Sequence, residues 1–356
     1  MKQNGKSPAL VYCQGALNTP NGKTAHGLIR FTSRYTVTGV IDSVYANRDA
    51  GELIDGRMNH IPVFGTLGEA LRNSKQKPTH FVIGLAPDGG RLSPDARKDV
   101  REAIKNGLNV HAGLHDFLAD DRELAGLAHE RGVELRDIRK PPDRKYLHFF
   151  SGKIEEVKAL KVAILGTDSA VGKRTTAWRL VHALTEMGHR TEMIGTGQTA
   201  WLQGAKYSIV LDSLVNDFIS GELEQAVWQA WEEVRPAVIV IEGQGSLLNP
   251  AYPGGFEILA ATRPDIVILQ HAPARKDYDG FPGYPIHPLP KQIAAIEMIS
   301  DKPVVAITIN HEDMTQEEVS RYTVFAERTL GIPAFDVLFD GPNGLAEKVI
   351  TYIKPS

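Results

Sequence analysis

The stretch GTDSAVGKRTT at residues 166–176 carries the residue types of a phosphate loop. Gly166 and Gly172 let the backbone approach a ligand, successive N–H groups and a helix N-terminus can point at an anion, and Lys173 adds a point charge. Where the P-loop pattern places a Ser or Thr to ligate magnesium, this chain has Arg174. A guanidinium cannot ligate a metal, although Thr175 or Thr176 could be displaced into that role. The spacing is altered too, since five residues (Thr167, Asp168, Ser169, Ala170 and Val171) separate the glycines instead of four. A site that binds a diphosphate without metal tolerates the added cation, whereas a metal–nucleotide site needs a hydroxyl. The flanks fit a P-loop: LKVAIL reads as a buried strand, and Ala177, Leu180, Val181 and Leu184 recur at helical spacing. A plain strand-to-helix turn is the alternative.

Further candidates lie downstream. VIVIEGQGSL puts Glu242 where P-loop proteins carry a metal-orienting carboxylate; it could serve as general base if no metal is present, or simply cap a turn. GTGQTAWLQG offers Thr196, Gln198 and Thr199 to a small polar substrate, or forms a tight turn. Asp212 and Asp217 read as catalytic carboxylates or as helix caps and solvated faces. The irregular stretch 271–290 is long enough to be a functional loop, with His271 as a candidate base and Arg275 and Lys276 as candidate carboxylate clamps. The histidines lack a paired spacing, so no metal cage built from protein ligands is expected.

The elements that position these residues read as α/β. Strand-like runs TEMIG, YSIVL, AVIVIEG, DIVILQH and PVVAITIN follow the phosphate loop, as in a P-loop NTPase-like doubly wound sheet. Upstream, YTVTGVID, HFVIGLA and LNVHAGL alternate with helical patterns such as 94–107, indicating a Rossmann-like parallel sheet without the dinucleotide fingerprint. NGKTAHGLIR contains Gly22-Lys23-Thr24 but has Leu17 where a phosphate loop needs glycine, and reads as a polar loop entering the first strand or as one reaching a neighbouring active site. GLAPDGGRLSP, after HFVIG, is either a ligand-facing loop or a turn. The proline-interrupted segment RKPPDRK at 139–145 sets the boundary between domains at 1–145 and 146–356.

With 356 residues, 42% of them hydrophobic, and a net charge of −3, the chain can bury two cores and has no global basic field for nucleic acid or an anionic membrane. A single cysteine, Cys13, excludes an intramolecular disulfide. No apolar run is long enough to span a bilayer and the first residues lack a signal-peptide core, so a cytoplasmic protein with no membrane partner is expected. A homo-oligomer is also expected.

The motifs GTDSAVGKRTT, GTGQTAW, DSLVNDFISGELE, IEGQGSL and HAPARKDYDG, preceded by GKTAHGLIR and VIGLAPDGG, resemble a bacterial two-domain P-loop family that includes D-glutamate N-acetyltransferase. The resemblance implies acetyl transfer from acetyl-CoA to the amino group of D-glutamate, with the CoA phosphates on Gly166 to Gly172, Lys173, Arg174, Thr175 and Thr176. Catalytic roles follow from chemistry alone: Glu242 as base, with His271 and Asp212 behind it, Arg275 and Lys276 on the substrate carboxylates, and Thr196 and Gln198 orienting the substrate. Competing readings are a magnesium–ATP kinase or ligase, since the five-residue spacing resembles that of dethiobiotin synthetase, and a nucleotide-sensing binding module.

Overall fold

The computed structural model describes residues 5–354. The chain divides into two units: residues up to Pro141 together with Gln198–Gly204, and Pro142–Gly197 together with the residues from Ala205 onward.

The first unit holds a fully parallel sheet of β1 (Ser7–Tyr12), β2 (Tyr35–Ile41), β3 (Val63–Phe64), β4 (His80–Ile83), β5 (Asn109–Ala112) and β6 (Leu135–Asp137), in the order β3-β2-β1-β4-β5-β6. This is the Rossmann order. Period-two alternation divides β1 between two cores, with Leu10 and Tyr12 packing among Phe81, Ile83 and Val100, and Ala9 and Val11 among Leu28, Val40 and Val82. Helix ends follow local chemistry: Ser93 and Pro94 start the helix Pro94–Lys105, and Asp121 caps Arg122–Arg131.

Two expectations fail in this unit. The sheet begins at Ser7, not at Tyr35, and Lys23–Arg30 is a helix rather than a polar loop. Tertiary contacts decide the second point. Ala25, Leu28 and Ile29 are buried, and the carbonyl of Gly27 accepts from Gln203 Nε2 at 2.8 Å, so packing offsets the helix-weakening Gly27.

Gln203 belongs to the inserted piece of this unit. In the helix Gln198–Gln203, Leu202 is fully buried in the core with Val11 and Leu28, Thr199 Oγ1 meets Thr24 Oγ1 at 3.1 Å, and the guanidinium of Arg34 lies 3.7 Å from the Trp201 ring centroid.

The second unit has a parallel sheet of β7 (Leu160–Gly166), β8 (Thr191–Gly195), β9 (Tyr207–Ser208), β10 (Val238–Glu242), β11 (Ile266–His271), β12 (Val304–Ile309) and β13 (Ala334–Phe335), in the order β13-β12-β11-β7-β10-β8-β9. The run YSIVL yields only the two-residue edge strand β9, and β13 was not expected. Ala163, Leu165, Ile239, Ile241, Val267 and Leu269 face one core with Leu223 and Val227 of the helix Asn216–Val234. The first helix of this unit, Lys173–Glu186, packs against β7, β8 and β10 and buries Ala177, Leu180 and Leu184. The sheet places β7 between β10 and β11, so the loops after these three strands meet at one carboxyl edge.

Leu180 is fully buried, so Leu180→Ala should lower unfolding free energy by about 2–5 kcal/mol. Arg179→Ala, on the exposed side of the same helix, should stay within about 0.5 kcal/mol of the parent in urea denaturation. Equal losses would mean that this helix does not pack as described.

Candidate active site

β7 runs directly into the glycine loop, which ends at Gly172 with φ 103°, and Ala170 within it has φ 52°. These left-handed conformations turn backbone N–H groups inward as a nest does. The helix Lys173–Glu186 then starts with no side-chain cap among the described residues, so its first N–H groups open toward the loop. Lys173 folds back over Gly166: its Nζ donates to Asp168 O at 2.6 Å and to Gly245 O at 2.8 Å, and a Cβ on residue 166 would stand 2.8 Å from that nitrogen. A side chain at 166 would therefore force Lys173 to shift from these contacts.

Asp168 is fully buried and ties three loops together. Its Oδ1 accepts from Ser169 N and Asn249 Nδ2, both at 2.7 Å, and its Oδ2 from Arg275 Nη1 at 2.9 Å and Asp279 N at 2.8 Å. Arg275 also donates to Ser169 O at 2.8 Å and pairs with Glu312 at 2.7 Å. These contacts tie Arg275 to the phosphate loop and to Glu312. Lys276, beside it, is exposed.

Glu242 ends β10 and is buried. Its Oε2 accepts from Thr196 N at 2.9 Å, its carbonyl accepts from Thr196 Oγ1 at 3.0 Å, and Gln244 Nε2 donates to the same hydroxyl at 2.9 Å. Burial pushes the carboxyl above the usual carboxylate range; the charge of Arg174, the Thr196 amide, the charge of Lys173 and the Gly197 amide oppose that rise. Arg174 thus acts electrostatically on this carboxyl. Thr176 turns its hydroxyl toward Gln270 Oε1 in β11, which Thr308 also reaches at 2.6 Å, so this threonine serves the core. Thr175 is half-buried.

His271 ends β11, where Nδ1 lies 3.0 Å from Thr167 Oγ1, and burial lowers its imidazole to about 4. Gln198 belongs to the first unit, packed on Gly113, and Asp212 sits exposed in the turn Leu211–Ser213. Asn249, Gln244 and Asp279 escaped the sequence reading. Gln244 lies within VIVIEGQGSL and Asp279 within HAPARKDYDG, but nothing local to Asn249 or Asp279 announces a partner some 80 to 110 residues away. Among the described residues no group of three His, Cys, Asp or Glu could hold a metal ion, and no helix is long and apolar enough to cross a membrane.

A strand feeding a glycine loop and an uncapped helix, with a buried carboxylate on the adjoining strand, defines a P-loop protein, here joined to a Rossmann-like domain. The chain belongs to the family catalogued as domain of unknown function DUF1611, whose Rossmann-like N-terminal domain matches residues 44–141 and whose P-loop domain matches residues 148–346. It is 32% identical over 272 residues to a protein of Pseudoalteromonas sp. named D-glutamate N-acetyltransferase, covering 74% of this chain and 79% of that one. A protein of the same name from Tritonibacter scottomollicae is 29% identical over 277 residues, covering 75% and 80%. The crystal structure of a DUF1611 family protein from Anabaena variabilis superposes with a TM-score of 0.89 at 28% identity, over 97% of this chain and 100% of that one.

The His271 environment yields a pH prediction. The unfolded chain takes up a proton as pH falls through 6.5, whereas the folded imidazole resists until about 4. Stability is therefore complete above 6.5 and declines toward 4, by up to about 3 kcal/mol from this group. In urea titrations at pH 7.5 and pH 5, His271→Gln should lose less stability on acidification than the parent; equal losses would contradict the assignment.

Proposed function

We propose that the chain transfers an acetyl group from acetyl-CoA to the amino group of an acidic amino acid, D-glutamate first among candidates, with the CoA phosphates on residues 166–176. Two relatives bearing the name D-glutamate N-acetyltransferase support this reading. The observation that carries it is the buried Glu242 carboxyl under the charges of Arg174 and Lys173: a cation, Arg174, occupies the place of a metal-ligating hydroxyl, near a carboxyl suited to proton transfer.

The residues present fit a diphosphate. Loop N–H groups and the uncapped helix supply donors, and Lys173 and Arg174 supply charge. Acetyl-CoA supplies the acyl group already activated as a thioester. The amide of Thr196 fixes the Glu242 carboxyl, whose raised pKa makes it a stronger base than an exposed glutamate. In this role it takes the proton that the substrate ammonium must lose before the nitrogen can attack, and His271, neutral at working pH, stands second. Arg275 keeps the loop in shape, which leaves Lys276 as the cation available to a substrate carboxylate.

Purified protein given acetyl-CoA and D-glutamate should release thiol only when the amino acid is present, and should release no phosphate from ATP with magnesium. Amino-acid-dependent phosphate release would establish the kinase or ligase reading instead. Glu242→Gln should lower kcat about 10²- to 10⁴-fold, and near-parental turnover across pH would remove Glu242 from the role of base. Arg174→Ser, which restores the usual P-loop hydroxyl, should raise the KM for acetyl-CoA more than it lowers kcat.

A further inference from the structure

The loops after β10 and β11 carry aromatic side chains that neither the core nor the chemistry above uses. Tyr252 and Tyr284 are 57% and 58% exposed. Each leans on Phe281, with ring centroids 6.4 and 6.3 Å away and the ring planes crossing at 69° and 81°. Neighbouring exposed rings mark a surface that something covers.

These rings are held in place. Asn249, which donates to Asp168, accepts through Oδ1 from the backbone N–H groups of Ala251 at 2.8 Å and Tyr252 at 2.9 Å. On the other loop, Asp279 N donates to Asp168, while Tyr278 N donates to Tyr284 O and Phe281 N to Tyr278 O, both at 2.9 Å. Both ring-bearing segments are thus fastened to a carboxylate inside the phosphate loop. Phe281 is two residues from Asp279, and a residue spans at most about 3.6 Å.

We propose that Tyr252, Phe281 and Tyr284 form the wall on which the adenine ring of CoA stacks while its phosphates lie on residues 166–176. The inference rests on the acetyl-CoA reading. In CoA only a ribose separates the base from the diphosphate, so a base subsite must lie close to the phosphate loop, and these rings are tied there. Stacking on aromatic side chains suits a flat purine and needs no matching hydrogen-bond pattern.

Titration calorimetry with CoA and with adenosine 5′-diphosphate tests the proposal. Tyr252→Ala and Tyr284→Ala should each weaken CoA about tenfold and weaken the diphosphate by the same factor. Their melting temperatures should match the parent, because the removed rings are exposed. Unchanged CoA affinity in both variants overturns the proposal. So does weakening confined to CoA, which would assign the rings to the pantetheine arm, and so does a parent protein that binds CoA but not the diphosphate. A parent that fails to bind CoA removes the acetyl-CoA reading itself, a result distinct from those three.

Discussion

The candidate site depends on one buried carboxylate. Asp168 has no access to water, and an ion so placed is tolerated only if its oxygens are fully engaged. Its acceptors are met by Ser169 within its own loop, by Asn249 from the loop after β10, and by Arg275 and Asp279 from the loop after β11. Irregular segments that would otherwise move independently therefore share one anchor. The shape of the phosphate loop, the setting of the aromatic rings and the orientation of Arg275 all follow from satisfying that charge.

A second electrostatic arrangement sits beside the first. Glu242 would be strongly disfavoured as an anion by burial alone, and Arg174 and Lys173 restore part of its ionisation while the Thr196 amide fixes its orientation. A magnesium site would place its dication in this region. In this chain the charges of Arg174 and Lys173 offset part of the burial penalty on Glu242, and residue 174 carries no hydroxyl.

Local patterns made the architecture readable in sequence. The phosphate loop, its flanking strand and helix, and Glu242 at a strand end all rest on short-range periodicity and glycine placement, and each occupies the position such signals indicate. What could not be read depends on distant partners. The contact of Arg275 with Asp168, 107 residues earlier, has no local signal. Gln198 follows a strand of the P-loop sheet, and its packing on Gly113 of the first unit has no local signal either. Lys23–Arg30 looked like a loop because Gly22 and Gly27 mask a helix whose support comes from Gln203.

That last contact bears on how the protein is made. The first unit closes over Leu202 and engages Gln203, which the chain supplies only after β7, the phosphate loop and β8 have been synthesised. During translation the N-terminal sheet must wait, with the place for Leu202 in its core unfilled, until residues 198–204 leave the ribosome. By then the leading strands of the second unit have already emerged, so the two halves cannot mature strictly one after the other. A gene cut at the apparent boundary near residue 141 would separate the first unit from a piece of its own interior.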